Sequence, residues 1–196
     1  MEEDGFRGKS YFYYNAVVRR GRKIVTDTTR ECLIEFLNEF QNEIKEPIAD
    51  YGGNERQDFK FVKKTLASGG IVDCSPLDYS TGVDLLKPIK GRKYNTGICM
   101  DLLEHVSNPF IVGENITNSL RKGALLFVTA PFVWGTHNCP NDYFRFTAEG
   151  LKVIFPKLEW LRIDIRVDDC WKNLKKFRKD DKIVKFFRVV GVFKKI

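Results

Sequence analysis

Ala124-Leu125-Leu126-Phe127-Val128-Thr129-Ala130 is the run that decides the architecture. It is apolar at odd and even positions alike, which is how a strand reads when both faces of its sheet are covered. An amphipathic helix is expected just before it, from Phe110 to Arg121, closed by Lys122-Gly123 as a basic last turn and a glycine stop. Working back from there, Thr96-Gly97-Ile98-Cys99-Met100 reads as a strand. Gly82-Val83-Asp84 and Ile71-Val72-Asp73 read as two earlier ones. A helix from about Arg56 to Leu66 stops at Ser68-Gly69-Gly70. Before it, Pro47-Ile48-Ala49 leads into Asp50-Tyr51-Gly52-Gly53-Asn54, a buried strand ending in a glycine turn.

The first helix of this alternation begins at Thr28, capped by Asp27 or Thr28. Cys32, Leu33, Phe36, Leu37 and Phe40 share one face, with Glu31, Glu35 and Glu39 opposite. Downstream of the central run, Thr147 caps a helix to about Phe155, and Leu158 to Val167 and Ile183 to Phe193 are β-rich. Strands separated by helices predict a mostly parallel seven-strand α/β sheet, helices on both faces, with an antiparallel C-terminal strand. Residues 1–26, with Tyr11-Phe12-Tyr13-Tyr14 and Arg19-Arg20-Gly21-Arg22-Lys23, read as an appendage to one domain over 27–196.

Composition narrows the class. Of the 196 residues, 43% are apolar and 30% charged, with 16 Phe, so the chain can bury a core and is neither disordered nor collagen-like. Its start is acidic and no apolar run is long enough to span a bilayer, so neither a secretory signal nor a membrane anchor is expected. The cysteines, Cys32, Cys74, Cys99, Cys139 and Cys170, are odd in number and lack C-x-x-C pairing. We read them as reduced thiols of a cytoplasmic protein and expect no metal site. The net charge of +7 is concentrated late, in Lys172, Lys175, Lys176, Arg178, Lys179, Lys182 and Lys185. A solvated face explains that run better than a nucleic-acid site, although Trp171 and Phe177 lie within it.

In open parallel sheets, ligands bind beyond the carboxyl ends of the strands. A glycine turn there lets a ligand approach the backbone. An acid about 20 residues further on, here Asp73, suits a ribose diol. Two further segments follow strand ends: Asp101-Leu102-Leu103-Glu104-His105-Val106, and Trp134-Gly135-Thr136-His137 continuing to Asn141-Asp142-Tyr143-Phe144-Arg145-Phe146-Thr147. These motifs, in this order, resemble the class I S-adenosylmethionine-dependent methyltransferases, in the subgroup with L-E-H-V after the fourth strand. Leu120-Arg121-Lys122-Gly123-Ala124 resembles that family's L-K-P-G-G turn, with Lys122 in place of Pro. The resemblance runs from Pro47 to Phe155 and implies a Rossmann-like fold with S-adenosylmethionine as cofactor.

Carried over residue by residue, the resemblance implies Asp50, Gly52 and Gly53 at the methionine part of the cofactor and Asp73 at the ribose. It implies Asp84 beside the adenine amino group, and Met100, Leu102 and His105 bordering the sulfonium. His137, Tyr143 and Arg145 would face or organise a small-molecule acceptor. The first motif departs from the family's D-x-G-x-G-x-G: Asn54 stands for the second glycine and Arg56 for the third, beside Glu55. His105 reads as a structural residue bordering the cofactor ahead of a base, and His137 equally as acceptor-site or structural. Arg145 reads first as a clamp on its own loop. Two other classes stay open: a non-catalytic member of the fold binding an acidic partner such as nucleic acid, and a nicotinamide dinucleotide oxidoreductase, which lacks its G-x-G-x-x-G turn here.

Overall fold

The computed structural model describes residues 28–53, 58–137, 141–168 and 186–196. Six strands form one sheet in the order β2-β1-β3-β4-β6-β5. They are β1 (Ile48–Tyr51), β2 (Cys74–Leu77), β3 (Tyr94–Met100), β4 (Leu120–Val133), β5 (Leu158–Asp168) and β6 (Phe186–Lys195). The first four run parallel, while β6 is antiparallel to both β4 and β5. The helices are α1 (Thr28–Glu39), α2 (Asp58–Ser68), α3 (Pro109–Ser119) and α4 (Ala148–Ile154).

The central run behaves as its composition demands. Leu125 and Phe127 of β4 point into a core shared with Leu33, Phe36 and Leu37 of α1 and Phe61, Val62 and Leu66 of α2. Their neighbours Ala124, Leu126, Val128 and Ala130 point the other way, onto Val112 and Ile116 of α3 and Leu151 and Ile154 of α4. With a side-chain period of two, one strand therefore supplies both cores, and helices cover both faces. Tyr51 of β1 is buried and its hydroxyl lies 2.6 Å from Ser119 Oγ at the end of α3, tying sheet to helix. The Thr147 side chain accepts from Gly150 N at 3.0 Å and starts α4 where the sequence places it.

Three expectations are corrected. Among the described residues the sheet has six strands, not seven, because Gly82-Val83-Asp84 follows a short 3-10 turn (Tyr79–Thr81) and joins no strand. The second strand is not Ile71-Val72-Asp73 but the residues just after it. Gly70, at φ 82, turns the chain off α2 while Ile71 N still donates to Leu66 O. The next stretch is exposed, with the N–H groups of Val72 and Asp73 both donating to Glu46 Oε1 at 2.7 Å. Finally, α3 ends at Ser119, and β4 takes over Leu120 onward, with Gly123 at φ 79 in the irregularity between the Tyr94 and Thr96 pairings. The appendage over residues 1–26, the Asp27 cap, and the basic run from Trp171 to Lys185 lie outside the described residues.

Candidate active site

The carboxyl ends of β1, β2, β3 and β4 gather the residues of interest. β1 ends in Asp50, 2% exposed, then Tyr51, Gly52 and Gly53. Gly52 has φ 79, and a Cβ there would lie 2.8 Å from Leu102 Cδ1. A Cβ on Gly53 would lie 2.4 Å from Asp50 Oδ2, so the Asp50 carboxylate is packed directly beneath this turn. Both positions therefore require glycine. Asn54, Glu55 and Arg56, where the motif departs from the family's pattern, lie outside the described residues.

The Gly52 N–H donates to Leu77 O at 2.9 Å, which fixes the end of β2 beside the glycine turn. The next residue is Asp78. Its Oδ1 accepts from Ser80 N at 2.8 Å, and the Asp78 N–H donates to Thr81 Oγ1 at 3.0 Å, a reciprocal cap that orients the carboxylate. Asp73 stands at the opposite end of the strand. Its carbonyl accepts from Ile48 N, where β1 begins, and its carboxylate takes Arg92 in a bidentate pair at 2.6 and 3.1 Å. Five residues of extended chain separate the two acids by roughly 15 Å. The acid at the carboxyl edge of β2 is thus Asp78, and Asp73 is a surface ion-pair partner of Arg92 at the other edge. A spacing of about 20 residues from the turn points to Asp73, and only the β2 boundary itself directs attention to Asp78.

Asp84 is engaged locally: Tyr79 O–H and Leu86 N each donate to Oδ1 at 3.0 Å, and Lys87 Nζ lies 3.3 Å from Oδ2. Met100 closes β3 and packs toward the α1/α2 core, whereas Leu102 packs on the α3/α4 core and under Gly52. Asp101, between them, has φ 45 and is held by Thr129, whose Oγ1 donates to Oδ1 at 3.0 Å, and by an ion pair with buried Arg188 of β6. The Arg188 guanidinium lies 4.2 Å over the Trp134 ring, which braces the loop after β4.

That loop meets the one after β3. Tyr143 N donates to Glu104 O at 2.7 Å, and His105 Nδ1 contacts the Asn141 carbonyl. The rings of His105 and His137 pack edge-on with centroids 4.9 Å apart. Asp142, its side chain 1% exposed, accepts from His137 N at 2.8 Å and lies 3.2 Å from His137 Nδ1. Arg145 grips the same carboxylate at 2.5 and 2.7 Å and donates to the carbonyls of Gly135 and Phe144. The Arg145 guanidinium holds the Asp142 carboxyl well below the usual carboxylate range. Arg145 is therefore a loop clamp. The Tyr143 ring is exposed, tilted 44° to the Phe144 ring with centroids 6.2 Å apart.

Sequence reasoning missed Glu104. It is fully buried, with neither carboxylate oxygen hydrogen-bonded, and burial together with nearby Asp101 raises its pKa well above the ordinary glutamate value. Cys74 and Cys99 are free thiols, and burial pushes Cys74 up to about 12, so neither is a nucleophile at neutral pH. Cys139 lies outside the described residues. No described helix is long and apolar enough to cross a membrane.

No protein-family model and no curated protein sequence matches the chain. Solved structures do match. A Burkholderia thailandensis 1,6-didemethyltoxoflavin-N1-methyltransferase, with its substrate and S-adenosylhomocysteine bound, superposes at TM-score 0.60 and 10% identity over 86% of this chain and 78% of its own. A S-adenosylmethionine-dependent methyltransferase from Anabaena variabilis superposes at 0.55 and 13% identity, over 86% and 85%. The fold is that of the class I S-adenosylmethionine-dependent methyltransferases. The [4+2]-cyclase SpnF also shares it, at TM-score 0.56 and 12% identity over 95% of this chain and 87% of its own, so the reaction has to be argued from the site.

Proposed function

We propose that this chain binds S-adenosylmethionine and transfers its methyl group to a small-molecule acceptor. The observation that carries the reading is the glycine turn set between two carboxylates, Asp50 and Asp78, at the carboxyl ends of adjacent parallel strands. The donor set fits the cofactor: an acid for the ammonium, an acid for the ribose diol, and a Cβ-free backbone between them. Asp50 and the Gly52-Gly53 turn take the methionine part, and Asp78 accepts from the ribose hydroxyls. Asp84 stands toward the adenine. Met100, Leu102 and His105 border the sulfonium.

S-adenosylmethionine supplies an already activated methyl donor, so the protein's contribution is orientation. His137, Tyr143 and Arg145 serve the acceptor side, with Arg145 acting through the loop that carries the other two. The two histidines are held rigidly enough to align an acceptor, because each Nδ1 faces an oxygen acceptor. Photocrosslinking with radiolabelled S-adenosylmethionine, competed by S-adenosylhomocysteine, tests the reading. Competed labelling is expected, and unlabelled protein at millimolar cofactor would overturn it.

A further inference from the structure

Glu104, His105 and His137 each bring a ligand atom within 4.8 Å of the other two. They come from two different loops, so their meeting is a product of the fold and not of local spacing. Three features of this cluster point the same way.

First, both oxygens of Glu104 lie buried with no hydrogen-bond donor. An ionised carboxylate left so costs several kcal/mol in general, a debt that native proteins normally settle with a partner. Second, His105 Nδ1 contacts the Asn141 carbonyl, which can only accept, so Nδ1 carries the proton and the lone pair sits on Nε2. That Nε2 lies 3.7 Å from Glu104 Oε1, too far for a hydrogen bond, so the two ligand atoms face each other without bonding directly. Third, His137 Nδ1 lies 3.2 Å from the Asp142 carboxylate and 3.4 Å from Gly135 O, which assigns its lone pair to Nε2 as well. A histidine whose far nitrogen donates to a carboxylate or carbonyl is the usual outer support of a metal-binding imidazole.

We infer that Glu104, His105 and His137 form a binding site for one divalent transition-metal ion of the zinc class, with an open position for an oxygen of water or of the acceptor. Two histidines and a glutamate are a three-ligand set typical of open zinc sites. Tetrahedral bonds of about 2.0–2.1 Å put ligand atoms roughly 3.3 Å apart, so side-chain rotations that draw the cluster in suffice. The charges facing Glu104 are Asp101, Arg188 and Arg145, and a dication adds the positive charge that the two arginines, already paired with Asp101 and Asp142, leave unsupplied.

The site is tested without S-adenosylmethionine, so its failure is separate from a failure of the methyl-transfer reading. Metal-free protein is titrated with Co²⁺, followed by d–d absorption, and with Zn²⁺, followed by thermal unfolding. One Co²⁺ per chain is expected, with visible bands displaced by Zn²⁺. Zn²⁺ at about a hundredfold excess over its Kd is expected to raise Tm by about 5–10 °C. Glu104→Gln, which keeps shape, and His137→Ala are each expected to weaken Co²⁺ binding at least tenfold. Absence of bands and of a Tm shift in wild type would overturn the site in favour of a His105 imidazolium paired with Glu104. Bands that persist unchanged in both variants would overturn these ligands.

Discussion

Arg145 and Asp142 form a two-pronged ion pair, at 2.5 and 2.7 Å, on a carboxylate whose side chain is 1% exposed. The pair closes the loop that carries His137 and Tyr143 over the loop that carries Glu104 and His105. Arg145→Ala leaves that carboxylate buried without its main partner. A loss of about 2 kcal/mol in urea unfolding is expected, below the full cost of breaking a buried pair because Arg145 itself is 26% exposed. Arg145→Lys is expected to recover only part of it, since an ammonium cannot grip two oxygens and two carbonyls in one plane.

The same pair gives the fold a signed pH dependence. Asp142 is held below its ordinary range by Arg145, with His137 N–H and ring as its other neighbours. A depressed acid contributes stability in full above its unfolded value and loses it as pH falls toward the folded value. Denaturant midpoints are therefore expected to drop below about pH 4, starting at the ordinary aspartate range. Asp142→Asn is expected to lower stability at neutral pH and to flatten that acid limb.

The glycine turn is a separate point of failure. Gly52→Ala is expected to cost about 1–2 kcal/mol for its left-handed backbone, and more as Leu102 is displaced. Gly53→Ala meets Asp50 instead and is expected to weaken S-adenosylhomocysteine binding at least tenfold while changing Tm less than Gly52→Ala does. Paired calorimetric and thermal measurements on the two variants distinguish these outcomes.

Inside the core, the Ser119 hydroxyl donates to Ile116 O at 2.7 Å, which makes Tyr51 the donor to Ser119 Oγ. Tyr51→Phe removes one bond and is expected to cost about 1 kcal/mol. Ser119→Ala strands a buried hydroxyl and is expected to cost about 1–3 kcal/mol, the larger of the two by chemical denaturation.

What could be read from the chain was local. The doubly apolar β4, the Thr147 cap and the Asp50 glycine turn carry their own signals within a few residues. β2 did not, because Ser75 and Pro76 break its hydropathy. A proline is tolerated there because β2 is an edge strand, where a missing N–H breaks no essential ladder. Reading the strand as Ile71-Val72-Asp73 sets Asp73 at its carboxyl end, whereas β2 begins at Cys74 and Asp78 is the acid that follows it. The Glu104–His105–His137 cluster was illegible for a different reason: it exists only because Tyr143 and Asn141 bind the β3 loop, and no spacing encodes that.

The most direct test is calorimetric titration of S-adenosylmethionine and S-adenosylhomocysteine into the wild type, Asp78→Ala and Asp73→Ala. The expected result is wild-type binding that weakens by about ten- to a hundredfold in Asp78→Ala, through loss of charge-assisted bonds to the ribose, and is unchanged in Asp73→Ala. No wild-type binding at millimolar ligand, or a loss confined to Asp73→Ala, would contradict the site.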